Sequence, residues 1–322
     1  MSTPYGTIVG RVVGAAGAPV PGATVAAIGS AQPHRDIAAI TSADGTFRFG
    51  SMVPGLYRLE ARASGTVRSA DVAVAPGARA DVEIRLGAAD RDILLAGDQR
   101  MRVTNYLQYP WRCVCSLLIT AANGSTRIGT GWLAAQRLVV TAGHCIHMAD
   151  EGGWAARVEV IPGRNGGERP YGSAVAGPSD LRSVPGWTDA EDPDFDYGAI
   201  LLPAQQRFGA QLGWFGWAPR TDAEVWAATL NVAGYPGDGG RTHEEGTQWY
   251  ASGGALEMGA RQMTYAIATS PGQGGAPVWL MTDGGERYCV AIHTWAGGAA
   301  HGGTRVTREV YDNIAQWAAQ AP

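Results

Sequence analysis

Short apolar runs that alternate with polar residues, each stopped by a turn, confine this chain to a mostly β architecture. Asp81-Val82-Glu83-Ile84-Arg85-Leu86 alternates at every step, a period of two that sends its apolar side chains to one face of a strand. Thr7-Ile8-Val9-Gly10-Arg11-Val12-Val13 and Ala23-Thr24-Val25-Ala26-Ala27 read as strands on either side of the turn Gly17-Ala18-Pro19-Val20-Pro21-Gly22. Ala43-Asp44-Gly45 is a hairpin signal, because Asp-Gly accepts the positive φ of a tight turn, and Pro54-Gly55 opens the run from Leu56 to Ala61. The 46 glycines and 18 prolines are about a fifth of the 322 residues, which suits many short strands and not a helical bundle. About six or seven strands in the first ~80 residues predict a small β-sandwich.

Composition narrows the function. A hydrophobic share of 45% can fill a sizeable core, so disorder does not describe the chain as a whole. The net charge of −4 argues against a nucleic-acid partner, which calls for a clustered basic surface. All 25 basic residues are Arg, and the absence of Lys excludes Schiff-base chemistry. No run approaches the ~20 apolar residues of a membrane helix. The amino end, Met1-Ser2-Thr3-Pro4-Tyr5-Gly6, has neither a basic nor an apolar signal region, which leans to a cytoplasmic rather than a secreted protein. Cys113, Cys115, Cys145 and Cys289 are too few for a disulfide scaffold and form no CxxC pair, so no metal and no cofactor is expected.

Gly87 to Arg100 breaks the strand rhythm. The chain therefore divides into a β-sandwich at 1–88, a linker at 89–105 and a second domain at 106–322. That domain has further β-type runs at Ser116–Ile119, Arg137–Thr141, Gly198–Leu202 and Val290–Ile292. It closes on Val310, Tyr311, Ile314 and Trp317 at helical spacing.

Three segments of the second domain carry chemistry. Thr141-Ala142-Gly143-His144-Cys145 follows an apolar strand, Asp194-Phe195-Asp196-Tyr197-Gly198 leads into another, and Ser270-Pro271-Gly272-Gln273-Gly274-Gly275 is a glycine-dense loop. Alone, each is ordinary: a structural histidine, an acid before a strand, a turn. In the order His, Asp, loop they match the chain order of the trypsin-like triad.

The first domain resembles the carboxypeptidase-regulatory, transthyretin-like domains through Gly10, Pro19-Val20-Pro21-Gly22-Ala23, Asp44-Gly45-Thr46-Phe47 and Pro54-Gly55-Leu56-Tyr57. The resemblance implies an appendage for folding, shielding or docking, with a possible protein partner. Residues 93–322 resemble the bacterial glutamyl endopeptidases. Beyond the triad segments, the match includes Arg102-Val103-Thr104-Asn105, Pro162-Gly163-Arg164-Asn165-Gly166, Ala233-Gly234-Tyr235-Pro236-Gly237-Asp238 and Gly303-Thr304-Arg305-Val306-Thr307. Together the two resemblances imply an all-β chain: a transthyretin-like sandwich, then a chymotrypsin/trypsin-like double β-barrel with a C-terminal helix.

They also imply a serine endopeptidase that cuts after Glu, and more weakly after Asp, made as a precursor. His144 would be the general base and Asp196, rather than Asp194, the carboxylate that orients it. The backbone N–H groups of Gly272 and Gly274 would form the oxyanion hole. Thr269 and His293 would hold the substrate's acidic side chain in the S1 pocket, while His147, His243 and His301 are read as surface residues. A cut between Asp92 and Ile93 would free the mature domain. The departure is Gly274, which stands where the family has its nucleophilic Ser, so this chain should be inactive. An engineered Ser→Gly change is the preferred explanation; a natural pseudoprotease that binds acidic peptides is the alternative.

Overall fold

The computed structural model describes residues 4–87, 99–239, 244–297 and 300–321. The first domain forms β1 (Gly6–Gly14), β2 (Thr24–Ser30), β3 (His34–Arg35), β4 (Ala38–Ile40), β5 (Thr46–Met52), β6 (Gly55–Ala63), β7 (Thr66–Val74) and β8 (Arg79–Leu86). One sheet is ordered β5-β1-β8 and the other β4-β2-β6-β7. Ile8, Val12, Phe47 and Ile84 from the first meet Val25, Tyr57 and Leu59 from the second in one buried core. Gly10 is part of that fit, since a Cβ there would lie 2.2 Å from the Phe47 ring.

The second domain is two β-barrel sheets. The first uses β10 (Val114–Thr120), β11 (Thr126–Ala135) and β12 (Leu138–Thr141), following the short β9 (Met101–Arg102). After the ribbon β13 (His147–Met148) and β14 (Gly153–Trp154), it adds β15 (Arg157–Pro162), β16 (Ala174–Ala176), β17 (Leu181–Ser183) and β18 (Gly198–Leu201). Their order is β16-β15-β10-β11-β12-β18-β17.

The second uses β19 (Gly216–Trp217), β20 (Leu230–Gly234), β21 (Trp249–Gly253), β22 (Ala255–Met258), β23 (Gln262–Tyr265), β24 (Pro277–Met281), β25 (Arg287–Gly297) and β26 (Ala300–Arg305). It runs β22-β23-β26-β25-β24-β20-β21-β9, with β19 beside β25. The C-terminal helix Arg308–Ala319 forms where its spacing predicts. Thr307 caps it by accepting from the Val310 N–H, and Val310, Ile314 and Trp317 are its buried face.

Two elements of the sandwich reach across to the barrels. β4 pairs with β2 on one side and with β11 on the other, through Thr126↔Ile40, Arg127↔Ala39 and Ile128↔Ala38. β3 pairs antiparallel with β25, through Trp295↔Arg35 and Ala296↔His34. All four cysteines are buried free thiols. A Cβ on Gly129 would sit 2.9 Å from the Cys145 Sγ.

Candidate active site

Strand pairing explains why two separated segments meet. β12 and β18 are antiparallel neighbours with Thr141 opposite Gly198, so the residues just after one and just before the other share an end of the sheet. That end carries His144 and Asp196. The His144 N–H donates to Asp196 Oδ1 at 2.9 Å, and His144 Nδ1 lies 2.8 Å from Asp196 Oδ2. A carboxylate is acceptor-only, so Nδ1 carries the proton and, in the neutral ring, Nε2 is left as the basic nitrogen. Both residues are buried, and Nε2 has no hydrogen-bond partner. Burial works against a charged ring, but the Asp196 carboxylate overcomes it and raises the His144 pKa. Asp194 is not the partner: its N–H caps a short turn by donating to Asp192 Oδ1.

His144 Nε2 faces Gly274. A Cβ built there would lie 2.5 Å from Nε2, so a side chain at this position would meet the ring's free nitrogen. Within the loop, Gly272 and Gly275 have φ of +105° and +88°, a region that favours glycine. Gly274 is outside that region, so its backbone does not demand glycine. The loop is pinned from several sides. Thr130 Oγ1 donates to the Gly272 carbonyl at 2.9 Å, Ser270 Oγ to Asp238 Oδ2 at 2.9 Å, and the Ser270 N–H to Gln273 Oε1 at 2.8 Å.

Its turned-in N–H groups have an occupant from the sandwich. Gly274 N–H donates to the Asp36 carbonyl at 2.8 Å and Gly272 N–H to the same oxygen at 3.2 Å. The Asp36 side chain, wholly buried, reaches His293 Nε2 with Oδ2 at 2.6 Å. The other face of that ring meets the Tyr265 hydroxyl, 2.6 Å from Nδ1. Burial holds the Tyr265 pKa far above its usual value, so it keeps a proton to donate. Burial would push the Asp36 carboxyl up, but the hydrogen bond from His293 holds it below the usual range. A charge-assisted bond of this kind contributes roughly 1.5–3 kcal/mol.

Thr269 does not reach Asp36. Its hydroxyl is 2.6 Å from Nδ1 of His301, whose ring lies beside His293 at 6.5 Å between centroids, while Asp36 Oδ1 has no hydrogen-bond partner. His301 is therefore a wall of this pocket and not a surface residue, and burial lowers its pKa to about 4. His147 is likewise buried, its ring edge-on to Trp154. His243 lies outside the described residues, as do Asp92 and Ile93. The sequence reading missed Asp36, Tyr265 and His301. Among the described residues, no three His, Cys, Asp or Glu side chains gather as a metal site.

Residues 102–318 match the family model described as Trypsin. The chain belongs to the trypsin family. Residues 7–87 match the carboxypeptidase regulatory-like domain.

Among curated relatives, a Bacillus licheniformis protein named glutamyl endopeptidase is 36% identical over 231 residues, covering 70% of this chain and 68% of the relative. A Bacillus subtilis protein named extracellular metalloprotease is 33% identical over 245 residues, covering 76% and 75%. A solved Glu endopeptidase in complex with MPD aligns at a TM-score of 0.60 and 24% identity, covering 71% of this trypsin-family chain and all 100% of that one. The protease Anisep from Arthrobacter nicotinovorans aligns at 0.55 and 18%, covering 65% and 96%. At these identities the two solved structures speak for the fold alone.

Proposed function

We propose that this chain is the frame of a serine endopeptidase that cuts peptide bonds after acidic residues, Glu preferred and Asp second, with glycine at the nucleophile position. The observation that carries this reading is the seat of Asp36: an acidic side chain held by His293 while its carbonyl faces the N–H groups of Gly272 and Gly274. The name of the Bacillus licheniformis relative supports the same preference. A hydroxyl at 274 would attack a carbonyl carbon seated this way. His144 Nε2 would take its proton, Asp196 would hold the ring, and the two N–H groups would stabilise the oxyanion.

Without that hydroxyl no acyl-enzyme forms, so the glycine-bearing chain is inert. We read Gly274 as a replaced serine, because its φ lies outside the left-handed region that favours glycine and the surrounding residues still face a reaction centre. Residues 1–88 act as a pro-region in this reading, and a cut after Asp92 in the linker separates them. The second reading, a natural pseudoprotease that captures acidic peptides, is favoured by the same glycine.

Gly274→Ser decides between them. The expected outcome is cleavage of a peptide after Glu but not after Gln, with His144→Ala in that background lowering kcat by ~10⁴ or more. His293→Ala should erase the preference for Glu over Gln. A Gly274→Ser protein that binds acidic peptides and turns none over would favour the binder.

A further inference from the structure

Residues 34–37 lie across the site as a peptide chain would. Asp36 N–H donates to the Thr294 carbonyl at 3.2 Å, and β3 continues antiparallel along β25. Arg35 is held outside the pocket, 3.2 Å from Glu191 Oε2 and with its guanidinium 4.8 Å from the Trp187 ring centroid. Glu191 also accepts from Ser51 Oγ at 2.7 Å, tying the segment back to the sandwich. Beyond Asp36 the chain passes through buried Ile37 into β4. A Cβ at residue 274 would lie 2.5 Å from the Asp36 carbonyl oxygen and 2.5 Å from His144 Nε2. The carbonyl, the loop N–H groups and the imidazole therefore converge on one point.

We propose that this segment is a built-in substrate: Asp36 fills the acid-binding pocket, and Asp36–Ile37 is the bond the protease domain cuts in its own chain once 274 carries a hydroxyl. The inference rests on the protease reading above. As the hydroxyl enters, the Asp36 carbonyl backs off to make room. The oxygen then adds to the Asp36 carbonyl carbon and gives its proton to His144 Nε2, while the carbonyl electron pair moves onto the oxygen facing Gly272 and Gly274. When the pair returns, the Asp36–Ile37 C–N bond breaks and His144 protonates the Ile37 nitrogen. A solvent water, deprotonated by His144, then hydrolyses the ester, leaving an Asp36 carboxylate and restoring the hydroxyl. In the glycine chain the same segment stays whole and blocks the site, so an outside ligand meets only the open fraction of molecules.

Two measurements test this. For occupancy, a fluorescent peptide ending in a free Asp carboxylate is titrated into the full chain and into Asp36→Ala. The variant should bind at least ten-fold tighter, whereas equal affinity would overturn the plug; Asp36→Glu controls for folding and should bind as weakly as the parent.

For cleavage, Gly274→Ser is denatured and weighed. A fragment starting at Ile37 is expected, formed at a rate independent of protein concentration, absent in Asp36→Ala and retained in Asp36→Glu. In a tagged glycine chain added as a target, the Asp36–Ile37 bond should stay intact. A Gly274→Ser protein that cuts an added Glu peptide but leaves Asp36–Ile37 intact overturns the self-cut. One that cuts nothing overturns the protease reading and the self-cut together, and peptide binding then decides the plug alone.

Discussion

His144 is the residue whose behaviour follows most directly from its surroundings. Its ring is buried against Asp196, and that carboxylate favours the protonated form, so the folded pKa lies above the usual value near ~6.5. A base must be unprotonated to act, so kcat/KM of Gly274→Ser should rise with pH through the raised value and not through the ordinary one. The ring can be watched in the glycine chain itself. Its NMR titration midpoint should sit above ~6.5 and fall in Asp196→Asn, which removes the charge while keeping the shape. An unmoved midpoint would mean that Asp196 does not set the ring's protonation.

Much of this residue-scale picture was legible, because His144 and Asp196 flank apolar strands that advertise themselves in sequence. Asp36 and Tyr265 were not. The contact from Asp36 to His293 spans 257 positions, and Tyr265 is one more alternating residue of β23 until the barrel closes. No local pattern encodes either meeting.

At the scale of the element, the loop 269–276 shows why glycine density in a sequence is only half a signal. Gly272 and Gly274 look equivalent on paper, yet one has a φ of +105° and the other lies outside the left-handed region. A Cβ on Gly272 would also strike the Tyr235 carbonyl at 2.6 Å. Gly272→Ala should therefore twist its N–H away from the carbonyl it holds, at a cost in backbone strain of roughly 1–2 kcal/mol. In the Gly274→Ser background, losing that donor should lower kcat by about 10²–10³ with a smaller change in KM. Steady-state kinetics on a Glu peptide checks this, and an unchanged kcat would remove Gly272 from the oxyanion hole. The strands around the loop were legible from their period. The short β3 and β4 were not, because two or three residues carry no period to read.

For the whole molecule, the sequence reads as a sandwich followed by a second β domain but is silent on how the two join. That junction is built on β4 and on a buried pair behind it. Arg127, opposite Ala39 in the β11–β4 register, donates to Glu151, and both side chains are nearly sealed from water. Its guanidinium lies 6.0 Å from the ring centroid of Phe49 in the sandwich. Arg127→Ala leaves the Glu151 carboxylate buried with the Ser125 hydroxyl at 2.6 Å. Removing one member of such a pair costs about 3–5 kcal/mol, so a thermal melt should fall by roughly 10 °C. Arg127→Met with Glu151→Leu should recover most of the loss, because neither charge then remains to be solvated.

The double allegiance of β4 also governs how a cut at residue 36 would end. Laced to β2 on one edge and β11 on the other, it would hold the new Ile37 amine beside the acyl carbon it had just left. An amine tethered at that range acts at an effective molarity of ~10⁵ M or more, enough to compete with bulk water for the ester. Hydrolysis would then settle into a standing balance of nicked and rejoined chains. The rejoined fraction would report, like a strain gauge, how firmly the sandwich grips the barrel.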